Sequence, residues 1–111
     1  MGCPTNTLLV AWHDGTPVGM LTLVAFPIPS GTRAWIEDVV VDERLRGHGI
    51  GAALTTKAID VALGKGARTI DLTSRPSRAA ANRLYQRLGF RKRDSTVYRF
   101  EPSRTRPRPK R

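Results

Sequence analysis

The feature that most constrains this chain is one continuous stretch: Ile36-Glu37-Asp38-Val39-Val40-Val41, a polar spacer over 42–46, then Gly47-His48-Gly49-Ile50-Gly51. The valine run predicts a strand. From Gly49 onward the period changes: Ile50, Ala53, Leu54, Ala58, Val61 and Ala62 recur at three- and four-residue spacing, which predicts an amphipathic helix ended by Gly64 or Gly66. A strand that enters a helix through glycines presents unpaired backbone N–H groups and the positive end of the helix dipole to the same point. That point is an anion site, and Arg44 and Arg46 add positive charge beside it.

Three phosphate loops share this outline and differ in detail. A Walker loop ends Gly-Lys-Ser/Thr, and here Gly51 is followed by Ala52, so a nucleotide-hydrolysing loop is excluded. The dinucleotide pattern is closer: Gly47, Gly49 and Ala52 satisfy its relaxed form, and Asp71 follows at the distance of its ribose-binding acid. That fold, however, turns directly from strand into glycines, whereas residues 42–46 intervene here, and the chain is too short for two mononucleotide halves.

Around this centre, Thr7 to His13 reads as a strand, Asp14-Gly15 as a tight hairpin turn, and Pro17 to Phe26 as the partner strand. Pro27, Pro29, Ser30 and Gly31 mark a loop. Ala34 to Val41, with Trp, Ile and consecutive valines, reads as a central strand buried on both faces. A strand Arg68 to Thr73 follows the helix. Ser74 or Ser77 is placed to cap a second helix, with Ala81, Leu84, Tyr85 and Leu88 on one face and Gly89 as its stop. Phe90 to Arg93 and Thr96 to Phe100 read as two last strands. The class is α/β with a mixed sheet: residues 1–101 form one domain and 102–111 a disordered basic tail without apolar residues.

A chain of 111 residues buries roughly two thirds of its unfolded surface, enough for one modest core. Its net charge of +10 is half supplied by Arg104, Arg106, Arg108, Lys110 and Arg111, and such a balance suits a polyanionic partner, nucleic acid or a phosphorylated cofactor. With no nucleic-acid motif, paired stacking aromatics or zinc spacing, the run reads as a solvated end rather than a nucleic-acid interface. No pair among Cys3, His13 and His48 has metal spacing, so no metal is expected. The single cysteine and the absence of a signal-like N-terminus or long apolar run point to a soluble protein of the cytoplasm without a membrane partner.

The stretch Ile36 to Glu43 leading into Arg46-x-x-Gly49-x-Gly51, together with Ala81-Asn82-Arg83-Leu84-Tyr85-Gln86-Arg87-Leu88-Gly89-Phe90, resembles the GNAT superfamily of acetyl-CoA-dependent N-acetyltransferases over about Leu8 to Phe100. The first stretch is similar to that family's fourth strand and pyrophosphate loop, the second to its later cofactor helix, in the same order and spacing. The resemblance implies the acyl-CoA N-acyltransferase fold, with antiparallel N-terminal strands, a βαβα cofactor-binding core, and acetyl-CoA as acetyl donor to a primary amine. It also implies that pantetheine lies along Val39, Val40 and Val41 as an added strand, with the N–H of Val39 or Val40 on the thioester oxygen. Arg46, Gly47, His48, Gly49, Ile50, Gly51 and Ala52 would hold the diphosphate, with His48 contributing only its backbone.

By the same resemblance Tyr85 is the general acid that protonates the coenzyme A thiolate. Glu37 is the candidate general base. It sits two residues before Val39 on the central strand and so on the same side of the pleat, while Asp38 points to the opposite face; other family members deprotonate the amine through water and backbone carbonyls. Asn82 is placed to bond the pantetheine arm, while the family's commoner cofactor asparagine falls at Arg78, where this chain lacks it.

Family members carry a strand and one or two helices before the hairpin, and those helices wall the acceptor site. Without them the expectations are an open site, a wall supplied by a partner subunit, as in a homodimer, or a truncated product that binds cofactor poorly; a module that binds acetyl-CoA without a competent acceptor pocket is the alternative function. The acceptor amine is not specified: aminoglycosides, polyamines, amino acids, protein N-termini and lysines all remain open.

Overall fold

The computed structural model describes residues 5–102. Cys3 and the basic residues from 103 onward, including the expected disordered tail, lie outside the described residues. Four strands form a sheet in the order β1-β2-β3-β4: β1 Thr5–His13, β2 Thr16–Ile28, β3 Gly31–Val41 and β4 Ala67–Asp71. β1, β2 and β3 are antiparallel neighbours, and β4 joins parallel to β3 after the crossover helix α1, Ile50–Gly64. A short helix α2, Ala79–Arg87, follows β4. No helix among the described residues is long and apolar enough to cross a membrane.

Local chemistry accounts for each junction. Asp14 and Gly15 both take positive φ, 49° and 74°, between the paired residues His13 and Thr16, as a two-residue hairpin turn of matching twist requires. After α1 the chain reverses at Gly66, φ 83°, and β4 begins at once. α1 lies against all four strands. Leu54, Ala58 and Ala62 on its inner face meet Leu21, Leu23, Ala34, Ile36 and Ala67 from the sheet, all buried. Burying side chains such as Leu21 and Leu23 contributes about 1.5–3 kcal/mol each. Small alanines on α1 bring its axis close to the sheet, and Gly19 shows how close: a Cβ there would sit 2.9 Å from Ile50 Cγ2 and 3.1 Å from Leu54 Cδ1.

Three expectations are corrected. β3 is interior but not buried on both faces: Val40 is 55 % exposed, and Arg33, Glu37 and Asp38 are exposed too, because helices cover only one face of its valine end. Residues 90–93 and 96–100 form no strand. Their composition favours extended chain, but a strand needs a paired neighbour and a buried face, and Tyr98 and Phe100 have neither, at 91 % and 85 % exposed. Neither Ser74 nor Ser77 caps α2; its N-cap is Arg78, with no side-chain capping bond.

One irregularity shapes everything downstream. Met20 pairs with Val40, but Thr22 pairs with Glu37, so Asp38 and Val39 together oppose Leu21. Asp38 sits in the left-handed region, φ 54°. This is a β-bulge. It reverses the alternation of β3: Ile36, Val39 and Val41 face α1, and Glu37 and Val40 face away with Thr22 and Met20.

Candidate active site

The turn that launches α1 is built from its own polar residues. Asp42 N–H donates to the Val18 carbonyl at 2.8 Å. Its carboxylate accepts from the Arg44 N–H at 3.0 Å and from the Arg44 guanidinium at 3.0 and 3.3 Å. These bonds hold the Asp42 carboxyl below the usual carboxylate range and push Arg44 further up. Arg44 is thereby committed to the turn. Arg46 is not: its guanidinium lies 4.0 Å from exposed Glu43, a distance worth little in water.

Gly47 and Gly49 take φ of 86° and 78°, a conformation that costs an L-residue about 1–2 kcal/mol. The His48 N–H closes the turn on the Leu45 carbonyl at 3.3 Å, so that donor is engaged. The first α-helical bond runs from the Ala53 N–H to the Gly49 carbonyl, which leaves the N–H groups of Ile50, Gly51 and Ala52 as the unpaired donors of the first turn. No side chain caps them.

β3 and β4 pair only from Thr32↔Ala67 to Trp35↔Asp71. Beyond Trp35 the β4-side edge of β3 has no strand neighbour among the described residues, and a cleft of about 320 Å³ opens there. Val39, Val40 and Val41 form one wall, Ala81, Leu84 and Tyr85 of α2 the other, Gly51 and Thr55 of α1 the floor, and Arg46 and Arg78 supply its charge. Among the described residues no carboxylate lines it. Thr55 is fully buried and its hydroxyl donates to the Gly51 carbonyl at 2.7 Å, so the one polar side chain on the floor is satisfied. Gly51 keeps the floor low: Leu84 and Val41 stand 3.7 and 4.0 Å from where its Cβ would be. Tyr85 is 7 % exposed and meets Phe90 edge to face at 6.0 Å, while the Phe90 N–H caps the Tyr85 carbonyl.

Of the residues expected from sequence, Val39, Val40, Val41, Arg46, Gly51 and Tyr85 converge on this cleft. Gly47, His48, Gly49, Ile50 and Ala52 form the adjoining loop and first turn. Asn82 does not line it: its amide donates to the Arg75 carbonyl at 2.9 Å. Glu37, expected on the side of Val39, is on the opposite face because of the bulge. Thr55 and Arg78 line the cleft and were not singled out as ligands. Thr55 gave no signal, since a threonine inside an amphipathic helix reads as surface; Arg78 stood where a cofactor residue was expected but of the wrong type. Among the described residues no three His, Cys, Asp or Glu side chains gather as a metal site.

The acetyltransferase (GNAT) family model matches residues 2–90. The chain belongs to the GNAT family. An uncharacterized N-acetyltransferase of Methanocaldococcus jannaschii is 39 % identical over 84 residues, 73 % of this chain and 37 % of that protein. This GNAT chain thus spans less than half the length of that curated relative. Among solved structures, a transcriptional regulator from Bacillus halodurans superposes with a TM-score of 0.80 at 34 % identity, covering 86 % of this chain and 66 % of that one. A Trypanosoma brucei acetyltransferase gives 0.77 at 29 % identity, covering 86 % and 69 %. The GNAT fold of these neighbours is the mixed sheet with two helices described above.

Proposed function

We propose that this GNAT chain is the donor-binding core of an N-acetyltransferase that moves the acetyl group of acetyl-CoA to a primary amine. The observation that carries this is the break in the β3–β4 ladder: among the described residues a strand edge without partner runs directly into unpaired helix N–H groups, and arginines but no acids line the cleft between. A ligand with an amide-bearing arm and a diphosphate head matches both ends. The arm adds as a strand along Val39–Val41, and the head takes the N–H groups of Ile50, Gly51 and Ala52 with Arg46.

A backbone N–H at Val39 or Val40 then points at the thioester oxygen as negative charge develops there, an interaction typically worth about 2.7–4 kcal/mol. Tyr85, on the α2 side, donates its phenolic proton to the leaving thiolate. Glu37, on the far face, takes the proton of the attacking amine, directly or through water. Base and acid therefore act from opposite faces of the sheet, so the amine enters from the side away from α1. A second copy of the chain would wall that entrance in a homodimer, consistent with exposed Met20 and Val40 there. The reducing cytoplasm suits the single cysteine.

The test is release of free thiol from acetyl-CoA with a panel of amines, followed by mass analysis of the acceptor. Amine-dependent thiol release with a 42 Da gain on the amine, roughly the mass of an acetyl group less a proton, supports the reading; thiol release that no amine accelerates would leave a donor-binding module without transfer.

A further inference from the structure

We infer that Arg78 is a phosphate ligand of the donor, gripping from the α2 wall the anion that the loop before α1 holds from the other side; this rests on the acetyl-CoA reading above. Among the described residues two guanidinium residues, Arg46 and Arg78, line the cleft, and no acidic residue does. Arg78 takes part in none of the ion pairs among the described residues, in contrast to Arg44, which Asp42 holds. Two like charges on one small cleft repel each other in the free protein, and a bridging phosphate reverses the sign of that interaction.

The position of Arg78 makes the same point from its own helix. It is the N-cap of α2, where Ser, Thr, Asn or Asp would satisfy a backbone N–H and an anion is favoured. A cation there works against the helix unless an anion sits between them. The backbone of Arg78 is nonetheless fixed: its N–H donates to the Arg75 carbonyl and its carbonyl accepts from the Asn82 N–H, both at 3.0 Å. The Asn82 side chain closes the turn on the Arg75 carbonyl. These bonds fix the backbone from which the Arg78 side chain, exposed at the cleft, extends, and a guanidinium has the planar fork that binds phosphate through two parallel N–H bonds.

The chemistry recognised is a phosphate group, which the donor offers as its diphosphate and as its 3′-phosphate. The experiment is equilibrium binding by calorimetry of acetyl-CoA, acetyl-dephospho-CoA and acetyl-pantetheine to the wild-type chain, Arg78→Ala and Arg78→Lys, with unfolding midpoints measured for each. The expected result is about a tenfold loss of acetyl-CoA affinity in Arg78→Ala, partial recovery in Arg78→Lys, a shallower salt dependence, and no change for phosphate-free acetyl-pantetheine. Equal loss for acetyl-CoA and its dephospho form assigns the contact to the diphosphate; loss for acetyl-CoA alone assigns it to the 3′-phosphate. Unchanged acetyl-CoA affinity, or an equal loss for acetyl-pantetheine, overturns the assignment while leaving the donor reading intact. A wild-type chain that binds none of the three overturns both.

Discussion

Ile36 and Val39 face the same helix although they are three residues apart in one strand, because Asp38 at φ 54° adds a residue to β3 opposite Leu21. That relationship puts Val39 and Val41 on the cleft wall and Glu37 on the other face.

The bulge depends on a residue that tolerates the left-handed region, which Asp does and a β-branched residue does not. Asp38→Val is expected to destabilise the fold by about 1–2 kcal/mol and to weaken acetyl-CoA binding, while Asp38→Gly leaves both close to wild type. Urea unfolding with and without acetyl-CoA checks this. Equal stability of the two variants would mean that the bulge does not need the positive φ.

Gly19 sets how closely the hairpin approaches the start of α1. Its added Cβ would lie 2.9 Å from Ile50 Cγ2, 3.1 Å from Leu54 Cδ1 and 3.3 Å from the Val40 carbonyl, so the Ile50 side chain must shift and the Leu54 side chain and the carbonyl must give by a few tenths of an ångström. Gly19→Ala is expected to cost about 1–3 kcal/mol by overpacking and to reduce donor affinity through the displaced first turn. An unfolding midpoint equal to wild type would contradict the packing described.

The acid and base assignments separate by kinetics. Tyr85→Phe is expected to lower kcat roughly 10²- to 10⁴-fold with the dissociation constant of acetyl-CoA unchanged. Glu37→Gln is expected to lower kcat over the same rough range, again without touching donor binding. Loss of donor affinity in either variant would reassign that residue to binding.

The Asp42–Arg44 pair predicts a titration. With its folded carboxyl pKa lowered by Arg44, the pair's contribution to stability is present above the ordinary value of about 3.9 and disappears as the pH falls through the lowered one. Carboxyl-detected NMR should find the Asp42 midpoint below that ordinary value, and Arg44→Ala should raise it. A midpoint that Arg44→Ala leaves in place would show that the pair does not form in solution.

The parts of the fold that glycine chemistry dictates were readable in the sequence. Asp14-Gly15, Gly66 and Gly89 punctuate the chain where positive φ is needed, and the 3.6-residue period of α1 located its buried alanines. The glycine turn that launches α1 was readable for the same reason. The bulge was not, because an aspartate in a valine-rich strand carries no glycine-like signal and only the register with Leu21 reveals it. Glu37 was therefore placed on the wrong side of the pleat. The segment 96–100 had strand composition, but pairing is a property of a neighbour rather than of the segment. Arg78 stood out only as a departure, and its place on the cleft wall depends on how α2 packs over Gly51.

The most direct measurement of the central claim is thermal unfolding of the purified chain at matched physiological salt with acetyl-CoA, with NADH and with a short DNA duplex. Binding to the native state must raise the midpoint, by the equivalent of about 2.7 kcal/mol at a hundredfold excess over the dissociation constant. The account predicts a rise with acetyl-CoA and none with NADH or DNA. A rise with NADH or DNA alone, or no rise with any of the three, would contradict it.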